Sequence, residues 1–356
     1  MSSPNSEHRL LSYMDALRES VEQEMELDPS VFIFGLDVDD HKAIQGSTQG
    51  LRDRFGPERV FTTPLSEDAM TGVAIGAAMA GMRPIHVHIR MDFLLLCMNQ
   101  LINIAAKSSY MYGGNTSVPL VVRSMIGKSW GQGAQHSQAL HSLFMHIPGL
   151  KVVAPSNAYD AKGCMIAAIR DNNPVIFMEH RLLYYTDAYV PEQSYTVELG
   201  NGRVRTSGDD ITLVGISNMV VECLRVAELL SGVGISAEVI DPITLVPLDI
   251  DIIVNSAKKT KHLLIVDNGW TMCGASAEIM AQVIERAGSN PGIVMQRMGF
   301  APTTCPTTPA LEKDFYPNPM TIASKAYSMV RPDDAPWSPP HDRTELAYQT
   351  QFRGPF

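Results

Sequence analysis

Apolar positions in the first half of the chain follow two patterns in turn. From Leu10 to Met25 an apolar residue recurs every three or four positions, which predicts an amphipathic helix over residues 9–27. After Asp28 and Pro29 comes a continuous apolar run, which is typical of a buried strand. The two patterns then alternate, with strands in VFIFGLDV, PIHVHI, PLVVRS and PVIFME and helices in GVAIGAAMAGM, LLLCMNQLINIAAKSSYM and DAKGCMIAAIRD.

The alternation resumes in the second half, after a polar, irregular stretch at residues 187–208. Strands that are apolar on both faces and alternate with helices are typical of parallel sheets covered on both sides. We therefore predict an α/β protein with two domains built on mainly parallel sheets, at residues 1–190 and 209–330, joined by a linker at 191–208. Residues 331–356 are rich in Pro and charge, show no period, and are predicted to form an extended tail.

Composition and charge narrow the class of protein. The chain has 356 residues, of which 45% are hydrophobic, enough for two cores, and its net charge is -10. The absence of a Lys and Arg cluster argues against binding to nucleic acid or to an anionic membrane. The five cysteines form no CxxC pair, which fits neither a zinc site nor a disulfide framework. No targeting segment and no run of about 18 apolar residues is found, so we expect a cytoplasmic protein.

Two common active-site motifs are missing from the sequence. We find no GxGxxG for NAD and no GxxxxGKS or GxxxxGKT phosphate loop. These classes of enzyme are therefore disfavoured, and small molecules and protein partners remain as ligands.

The stretch TTPLSEDAMTGVAIGAAMAG joins two acids to a helix of small residues. One interpretation is local: Ser66 caps the helix, and Glu67 and Asp68 offset the positive end of its dipole. The alternative starts from the many Gly and Ala residues, which make a slim helix that other groups can approach closely. Glu67 would then lie in a crowded, buried place, where burial raises the pKa of a carboxyl. The residues alone leave both interpretations open.

Longer motifs point to one family: FGPERVFTTPLSEDAMTGVAIGAAMAGMRPI, MDF, MYGGNTSVPLVVR, GAQHSQALHSLFMHIPGLKVVAPSNAYDAKG and AIRDNNPVIFMEH. Together they resemble the beta chain of the thiamin-diphosphate-dependent 2-oxo acid dehydrogenases, the decarboxylating component of pyruvate and branched-chain complexes. The stretches ISAEVIDPITLVPLD and VDNGWTMCGASAEI resemble the transketolase C-terminal domain of that family. The resemblance covers residues 8–330 and implies a pyrimidine-binding domain followed by a transketolase C-terminal-like domain.

The resemblance assigns roles to four residues. Glu67 matches the glutamate that bonds the aminopyrimidine ring of thiamin diphosphate and favours its imino tautomer, whose nitrogen deprotonates the thiazolium carbon. Phe93 matches the aromatic residue that packs on the same ring, and Ile89 a further cofactor contact. His136 matches the histidine that faces the reacting carbon and exchanges protons there. Without the resemblance, Phe93 would be taken as a core residue and His136 as a solvated loop residue.

The resemblance also implies ions and a partner chain. A structural potassium site built largely of carbonyl oxygens is implied, although AIRDNN is also an ordinary turn sequence. The GDG…N motif that holds the diphosphate and its divalent metal is missing here; in the family the alpha chain supplies it with magnesium. We therefore expect this chain to contain half of an active site. An alpha chain would supply the other half, in an assembly of two alpha and two beta chains. The residues that match the potassium site are Leu120, Ala168, Ile169, Asp171 and Asn173.

Several positions depart from the family pattern, which leaves the substrate and the acceptor open. Val87, Ile243 and Asn268 replace residues that are usually charged, and Leu96 replaces a polar one. The first hypothesis is decarboxylation of a 2-oxo acid with transfer of the acyl group to a lipoyl domain. The second is a split thiamin-dependent carboligase or transketolase-like synthase with another acceptor. The third, a non-enzymatic assembly subunit, is disfavoured by the catalytic residues present.

The strand PIHVHI places His86, His88 and Arg90 on one face. Burying such a row without partners would be costly in a parallel sheet. Because ligands gather at the carboxyl ends of strands in open α/β sheets, we expect Arg90 and His88 to bind a carboxylate or phosphate of an anionic substrate. The alternatives are an internal ion pair with Asp92 or Glu67, or a contact across a subunit interface.

Overall fold

The computed structural model describes residues 9–40, 44–127, 132–288 and 292–340. It confirms the predicted α/β class, because strands and helices alternate and build two mainly parallel sheets. In chain order the strands are β1 Leu10–Ser12, β2 Val31–Gly35, β3 Val60–Thr62, β4 Arg83–His88, β5 Val121–Ile126, β6 Lys151–Val153, β7 Val175–His180, β8 Asp187–Tyr189, β9 Arg203–Thr206, β10 Ile211–Gly215, β11 Ala237–Asp241, β12 Thr244–Val246, β13 His262–Trp270 and β14 Val294–Phe300.

Helices cover both faces of the sheets. Within the described ranges, no helix is both long and apolar enough to cross a membrane. The α-helices are α1 Tyr13–Leu27, α2 Leu51–Phe55, α3 Glu67–Met79, α4 Ala106–Met111, α5 His141–Met145, α6 Ala158–Arg170, α7 Met219–Ser231, α8 Ile250–Thr260, α9 Ala275–Ala287, α10 Pro309–Phe315 and α11 Pro319–Val330.

The first sheet has seven strands in the order β12-β6-β7-β5-β4-β2-β3. Strands β2 to β7 pair in parallel, and β2, β4, β5 and β7 are almost wholly buried, which explains their continuous apolar sequences. Strand β12 pairs antiparallel with β6, although it comes from the second half of the chain. The boundary predicted between the two domains is therefore crossed by one strand of the first sheet.

The second sheet has five strands in the order β14-β13-β10-β11-β9. Its edge strand β9 is antiparallel to β11 and lies inside residues 191–208, which were predicted to be a linker. This part of the linker prediction is wrong. The short sequence RVRT is half exposed at the sheet edge, so it carries no apolar run that would mark it as a strand.

One predicted helix, over residues 94–111, is built from three kinds of turn. A 3₁₀ segment at Met91–Cys97 leads into a π-helical segment at Asn99–Ala105, and only then does α4 begin. The apolar period in the sequence indicates a buried helical face but does not distinguish tight turns from wide ones.

A fully buried ion pair joins the two central strands β5 and β7. The Arg123 guanidinium donates to both carboxylate oxygens of Glu179, at 2.6 and 2.9 Å, and to the Ser47 hydroxyl at 2.9 Å. The Tyr184 hydroxyl donates to the same carboxylate at 2.5 Å. Both charges of the pair are wholly shielded from solvent, so each depends on the other for compensation.

Two polar contacts tie the second domain to the first. The Arg205 guanidinium on β9 pairs with Asp160 of α6 and with Asp241 of β11, the latter at 2.7 Å. The imidazole of His141 lies 2.9 Å from the Asp267 carboxylate, and both side chains are buried. Neither contact is evident from the apolar pattern, because each joins residues that are far apart in the chain.

The first ten residues of the predicted tail, 331–340, form no helix or strand and lie on the second domain. Within them the Trp337 ring packs on Tyr327 of α11, with ring centroids 5.1 Å apart. The Ser338 hydroxyl bonds Ser324 at 3.1 Å. The rest of the predicted tail, residues 341–356, lies outside the described residues.

Removing one partner of the buried ion pair should be costly. We expect Arg123→Met to lower the free energy of unfolding by about 3–5 kcal/mol, because the Glu179 carboxylate is left buried without its counter-charge. The double variant Arg123→Met/Glu179→Leu should be more stable than Arg123→Met, because it leaves no uncompensated charge. Urea unfolding followed by circular dichroism measures both differences.

The surface pair of Arg286 and Asp251 provides the matched control, because its side chains are 49% and 72% exposed. Arg286→Met should change the free energy of unfolding by less than about 1 kcal/mol. Equal losses in Arg123→Met and Arg286→Met would contradict the central role given to the buried pair.

Candidate active site

An open cleft of about 770 Å³ lies where the carboxyl end of β4 meets the first turn of α3. It brings together all the residues that were predicted to contact a cofactor or substrate, which the sequence spreads over some seventy positions. The residues that line it are Leu36, Leu65, Glu67, His88, Ile89, Arg90, Phe93, Gln132 and His136.

Glu67 is the first residue of α3 and lines the cleft. The Ser66 side chain makes no capping hydrogen bond, so the structure gives no support to the local interpretation of Ser66 as a side-chain cap. The expected burial of Glu67 is wrong for the single chain: its side chain is half-buried, because the cleft is open on one side. Asp68 points to solvent, as a first-turn acid does.

The slim helix α3 is covered on only one side by the rest of the chain. A Cβ added at Gly72 would lie 3.9 Å from Cγ of Gln100, whereas one added at Gly76 would meet nothing within 4 Å. Val73 and Met79 on the same bare face are 53% and 37% exposed. The close approach expected from the Gly and Ala content is thus available to a second chain on that face.

Phe93 and His136 face each other across the cleft. Their ring centroids are 5.4 Å apart and the rings meet edge to face, at 76°. Phe93 is half-buried and lines the cleft, so it is not an ordinary core residue. The carbonyl oxygen of His136 accepts a hydrogen bond from Arg181 at 3.0 Å, which anchors the loop that carries the imidazole.

The two histidines of the basic row have different surroundings. His86 is buried and stacks on the Phe34 ring at 4.6 Å, and Thr71 lies 3.4 Å from its Nδ1, so it belongs to the core. His88 is only 2% exposed, lines the cleft, and has no hydrogen-bond partner for either ring nitrogen among the described residues. Burial lowers the pKa of His88 to about 4, so the imidazole is neutral at pH 7.

Arg90 shares an acceptor with a second buried arginine, Arg181. The amide oxygen of Gln132 accepts from Arg90 Nε at 3.0 Å and from Arg181 Nη1 at 2.8 Å. Burial lowers the pKa of Arg90, and burial together with the charge of Arg90 lowers the pKa of Arg181 to about 9. Among the described residues Arg90 forms no ion pair with Asp92 or Glu67, so those two expected alternatives are not found.

Sequence reasoning missed Gln132 and Arg181. Arg181 directly follows the strand β7, so the rule that ligands gather at carboxyl ends of strands would have found it. Gln132 lies in a loop and has no such signal.

At the turn predicted to hold potassium, two cationic side chains of the protein already contact the oxygen atoms. Arg83 donates to the carbonyl oxygens of Ile169 and Asp171, at 2.9 and 3.0 Å, and Lys151 pairs with the Asp171 carboxylate. Within the described ranges no three side chains of His, Cys, Asp or Glu gather as a metal site. Potassium therefore stays a prediction. The five residues do lie together at the α6–β7 turn and beside it: Leu120, Ala168, Ile169, Asp171 and Asn173.

Two models of known protein families match the chain. Residues 10–186 match the transketolase pyrimidine binding domain and residues 200–322 the transketolase C-terminal domain. The first range contains the cleft and the second contains all five strands of the second sheet. The two domain types predicted from the motifs are confirmed.

Curated relatives are similar over most of the chain. The beta subunit of the acetoin:2,6-dichlorophenolindophenol oxidoreductase of Cupriavidus necator is 41% identical over 91% of this chain and 98% of that protein. The pyruvate dehydrogenase E1 component subunit beta of Rickettsia bellii is 42% identical over 78% of this chain and 85% of that protein. The mitochondrial pyruvate dehydrogenase E1 beta-1 subunit of Arabidopsis thaliana is 39% identical over 85% of both. The family predicted from the sequence is confirmed.

A solved structure with the same fold is a split gene transketolase in an inactive beta4 tetramer. It superposes with a TM-score of 0.73 over 90% of this chain and 98% of that chain, at 19% identity. At that identity the likeness concerns the fold alone.

Burial of His88 should make stability depend on pH. Since its pKa is about 4 in the folded chain and about 6.5 when exposed, the unfolded chain binds a proton between these values that the folded chain does not. The folded state therefore loses stability as the pH falls through this window. Between pH 7 and pH 5 we expect His88→Phe to lose about 2 kcal/mol less than the wild type, as measured by urea unfolding.

The exposed His146 gives the matched control for the loss of an imidazole. If His88→Phe and His146→Phe both keep the full pH dependence of the wild type, the assignment of a neutral buried His88 is wrong.

Proposed function

The chain belongs to the family of the beta subunits of pyruvate and acetoin dehydrogenases, and from this premise we propose that it is the beta chain of a thiamin-diphosphate-dependent enzyme that decarboxylates a 2-oxo acid and transfers the acyl fragment to a lipoyl domain. A single observation carries the proposal: Glu67, Phe93 and His136 line one cleft of the pyrimidine-binding domain. Carboxylate, aromatic ring and imidazole are the groups that the chemistry needs side by side.

The residues of the cleft fit the pyrimidine end of thiamin diphosphate. Glu67 offers a carboxylate that can share a proton with a ring nitrogen, while Phe93 and Ile89 offer apolar surface to the ring. When bound, the cofactor supplies a nucleophilic carbon and accepts the electrons released by decarboxylation. Glu67 then holds the proton on which activation of that carbon depends.

His136 is proposed as the group that moves protons at the substrate. Its imidazole is half-buried at the edge of the cleft, and its backbone is anchored by Arg181. A residue with this access can donate a proton to the carbonyl oxygen of the substrate and recover it later from solvent. The edge-to-face contact with Phe93 limits rotation of the ring.

An alpha chain is the proposed partner, in an assembly of two alpha and two beta chains with magnesium on the alpha chain. This is supported by the large apolar surface that the single chain exposes around α3 and the segment 91–112, which is of the kind that subunit interfaces bury. Potassium, held largely by carbonyl oxygens, is part of the same proposal, because a carbonyl oxygen has two lone pairs and can accept a second contact. Its proposed ligands are Leu120, Ala168, Ile169, Asp171 and Asn173. The exposed apolar side chains are Leu65, Val73, Met79, Met82, Leu95, Leu96, Ile104, Tyr110, Met111 and Tyr112.

The decisive experiment is reconstitution of the chain with its alpha partner. With thiamin diphosphate, magnesium and a panel of 2-oxo acids, we expect release of carbon dioxide and acylation of an added lipoyl domain. The chain without its partner should show neither, nor bind the cofactor tightly in a calorimetric titration. Carbon–carbon bond formation without lipoyl acylation would overturn the proposed acceptor in favour of a carboligase.

The role of Glu67 has a direct test. We expect Glu67→Gln to assemble normally but to slow exchange of the thiazolium proton with solvent by about 10²–10⁴-fold, because an amide does not accept the shared proton. Hydrogen–deuterium exchange at that carbon, followed by NMR in the reconstituted complex, measures it.

The neighbouring exposed Asp68 gives the control. Asp68→Asn should exchange at the rate of the wild type. Unchanged exchange in Glu67→Gln would remove Glu67 from the proposed chemistry.

A further inference from the structure

We propose that Arg90 and His88, braced by Gln132 and Arg181, form a subsite that binds the carboxylate of the substrate. The enzyme would then select anionic 2-oxo acids over neutral carbonyl compounds of the same size. The inference rests on the proposed function for the reaction, and adds to it the residues that recognise the carboxylate of the substrate.

The first support is the charge on one wall of the cleft. Arg90 is 8% exposed, and among the described residues it donates to neutral oxygens, the Gln132 amide at 3.0 Å and the Ile89 carbonyl at 2.9 Å. Because Arg181 donates to the same Gln132 oxygen, a second positive charge lies directly behind the first. An anion that enters the cleft can contact Arg90, and the charge of the buried Arg181 lies behind it.

The nearest acid does not cancel this charge by contact. Asp92 is buried, and its Oδ1 accepts from the backbone and side-chain nitrogens of Gln138, at 3.2 and 2.8 Å. The Asp92 carboxylate is thus held by Gln138. Asp92 itself belongs to the 3₁₀ segment that directly follows Arg90. A guanidinium buried against neutral acceptors favours a charged ligand, because the ligand restores the compensation that burial removed.

The second support is His88, which the core does not use. The side chain is 2% exposed and lines the cleft, and neither ring nitrogen has a hydrogen-bond partner among the described residues. Leaving such a buried polar group unsatisfied destabilises the unliganded site. The neutral imidazole has one N–H to donate, and a carboxylate oxygen is a suitable acceptor. His88 and Arg90 are two residues apart, so they project from the same face of the backbone.

The third support is the position of the subsite relative to the proposed chemistry. Gln132 and His136 belong to the same loop, and Arg181 anchors both, through Gln132 Oε1 and the carbonyl oxygen of His136. Since Arg90 and His136 line the same cleft, a carboxylate bound at Arg90 lies in the cleft that His136 also lines. In a 2-oxo acid the carbonyl carbon is bonded to the carboxylate, so this binding mode brings the reacting carbon into the same cleft.

The subsite should distinguish between the two substrates that the names of the relatives suggest, acetoin and pyruvate. Acetoin is a neutral hydroxyketone, whereas pyruvate carries the carboxylate that Arg90 is placed to receive. Holding the carboxylate stabilises the bound substrate and not the later loss of carbon dioxide, so the interaction should govern the Michaelis constant and leave kcat unchanged or higher.

Binding can be tested without turnover, using oxamate and oxamide as probes. Both are unreactive analogues of pyruvate, but only oxamate carries a carboxylate. In ligand-observed NMR titrations of the reconstituted complex, Arg90→Met should raise the dissociation constant of oxamate about 10–100-fold and leave that of oxamide unchanged. His88→Phe should weaken oxamate by a smaller factor, about 3–10-fold, again without effect on oxamide.

Two variants guard against effects of misfolding. Arg90→Lys keeps the charge and should restore much of the affinity for oxamate, while the exposed Arg286→Met should bind both probes as the wild type does. Equal weakening of oxamate and oxamide in Arg90→Met, or no weakening of either, would overturn the subsite. If oxamate binding depends on Arg90 but no 2-oxo acid is decarboxylated, the subsite stands and the proposed function falls.

Discussion

The buried ion pair of Arg123 and Glu179 fixes the relation between the core and the cleft. Each strand that carries one of its members ends a few residues later near the candidate site: β5 leads to the loop of His136, and β7 to Arg181, which bonds that loop. Two charges without solvent are stable only in one geometry, so the register of these strands has little freedom. The pair therefore helps to fix the distance between the loop of His136 and Arg181, which bonds the His136 carbonyl oxygen.

The second domain also contacts the first sheet and one of the helices that cover it. Strand β12 extends the first sheet, and Arg205 joins Asp160 and Asp241 across the domain boundary. The predicted division of the chain at residues 191–208 suggests two independent bodies, but the contacts show that each domain contributes to the order of the other. In physical terms, the second domain adds hydrogen bonds to an edge that would otherwise be left unpaired.

The apolar pattern predicted most of the sheets, because strands buried on both faces have a continuous apolar sequence. It failed for the half-exposed edge strand β9, and for the turn widths of the segment 91–111. In the site, the motifs predicted Glu67, Phe93 and His136 as neighbours, and the cleft contains all three. Gln132 was missed because it lies in a loop and its contact with Arg181 joins residues 49 positions apart, whereas the position of Arg181 directly after β7 was a signal that was not used. The half-buried state of Glu67 was missed because a single chain covers only one side of α3.

The exposed face of α3 has a consequence for how much of this chain a cell should make relative to its partner. The helix that exposes Gly76 and Val73 to a future neighbour is the helix whose first residue is Glu67. Under the proposed function, the contact with the partner and the chemistry of Glu67 both depend on the same thirteen residues. A copy made in excess of its partner would then lack the rest of the site and expose this apolar face, which favours synthesis of the two chains in matched amounts. On this proposal, the relative amounts of the two chains set the amount of active enzyme.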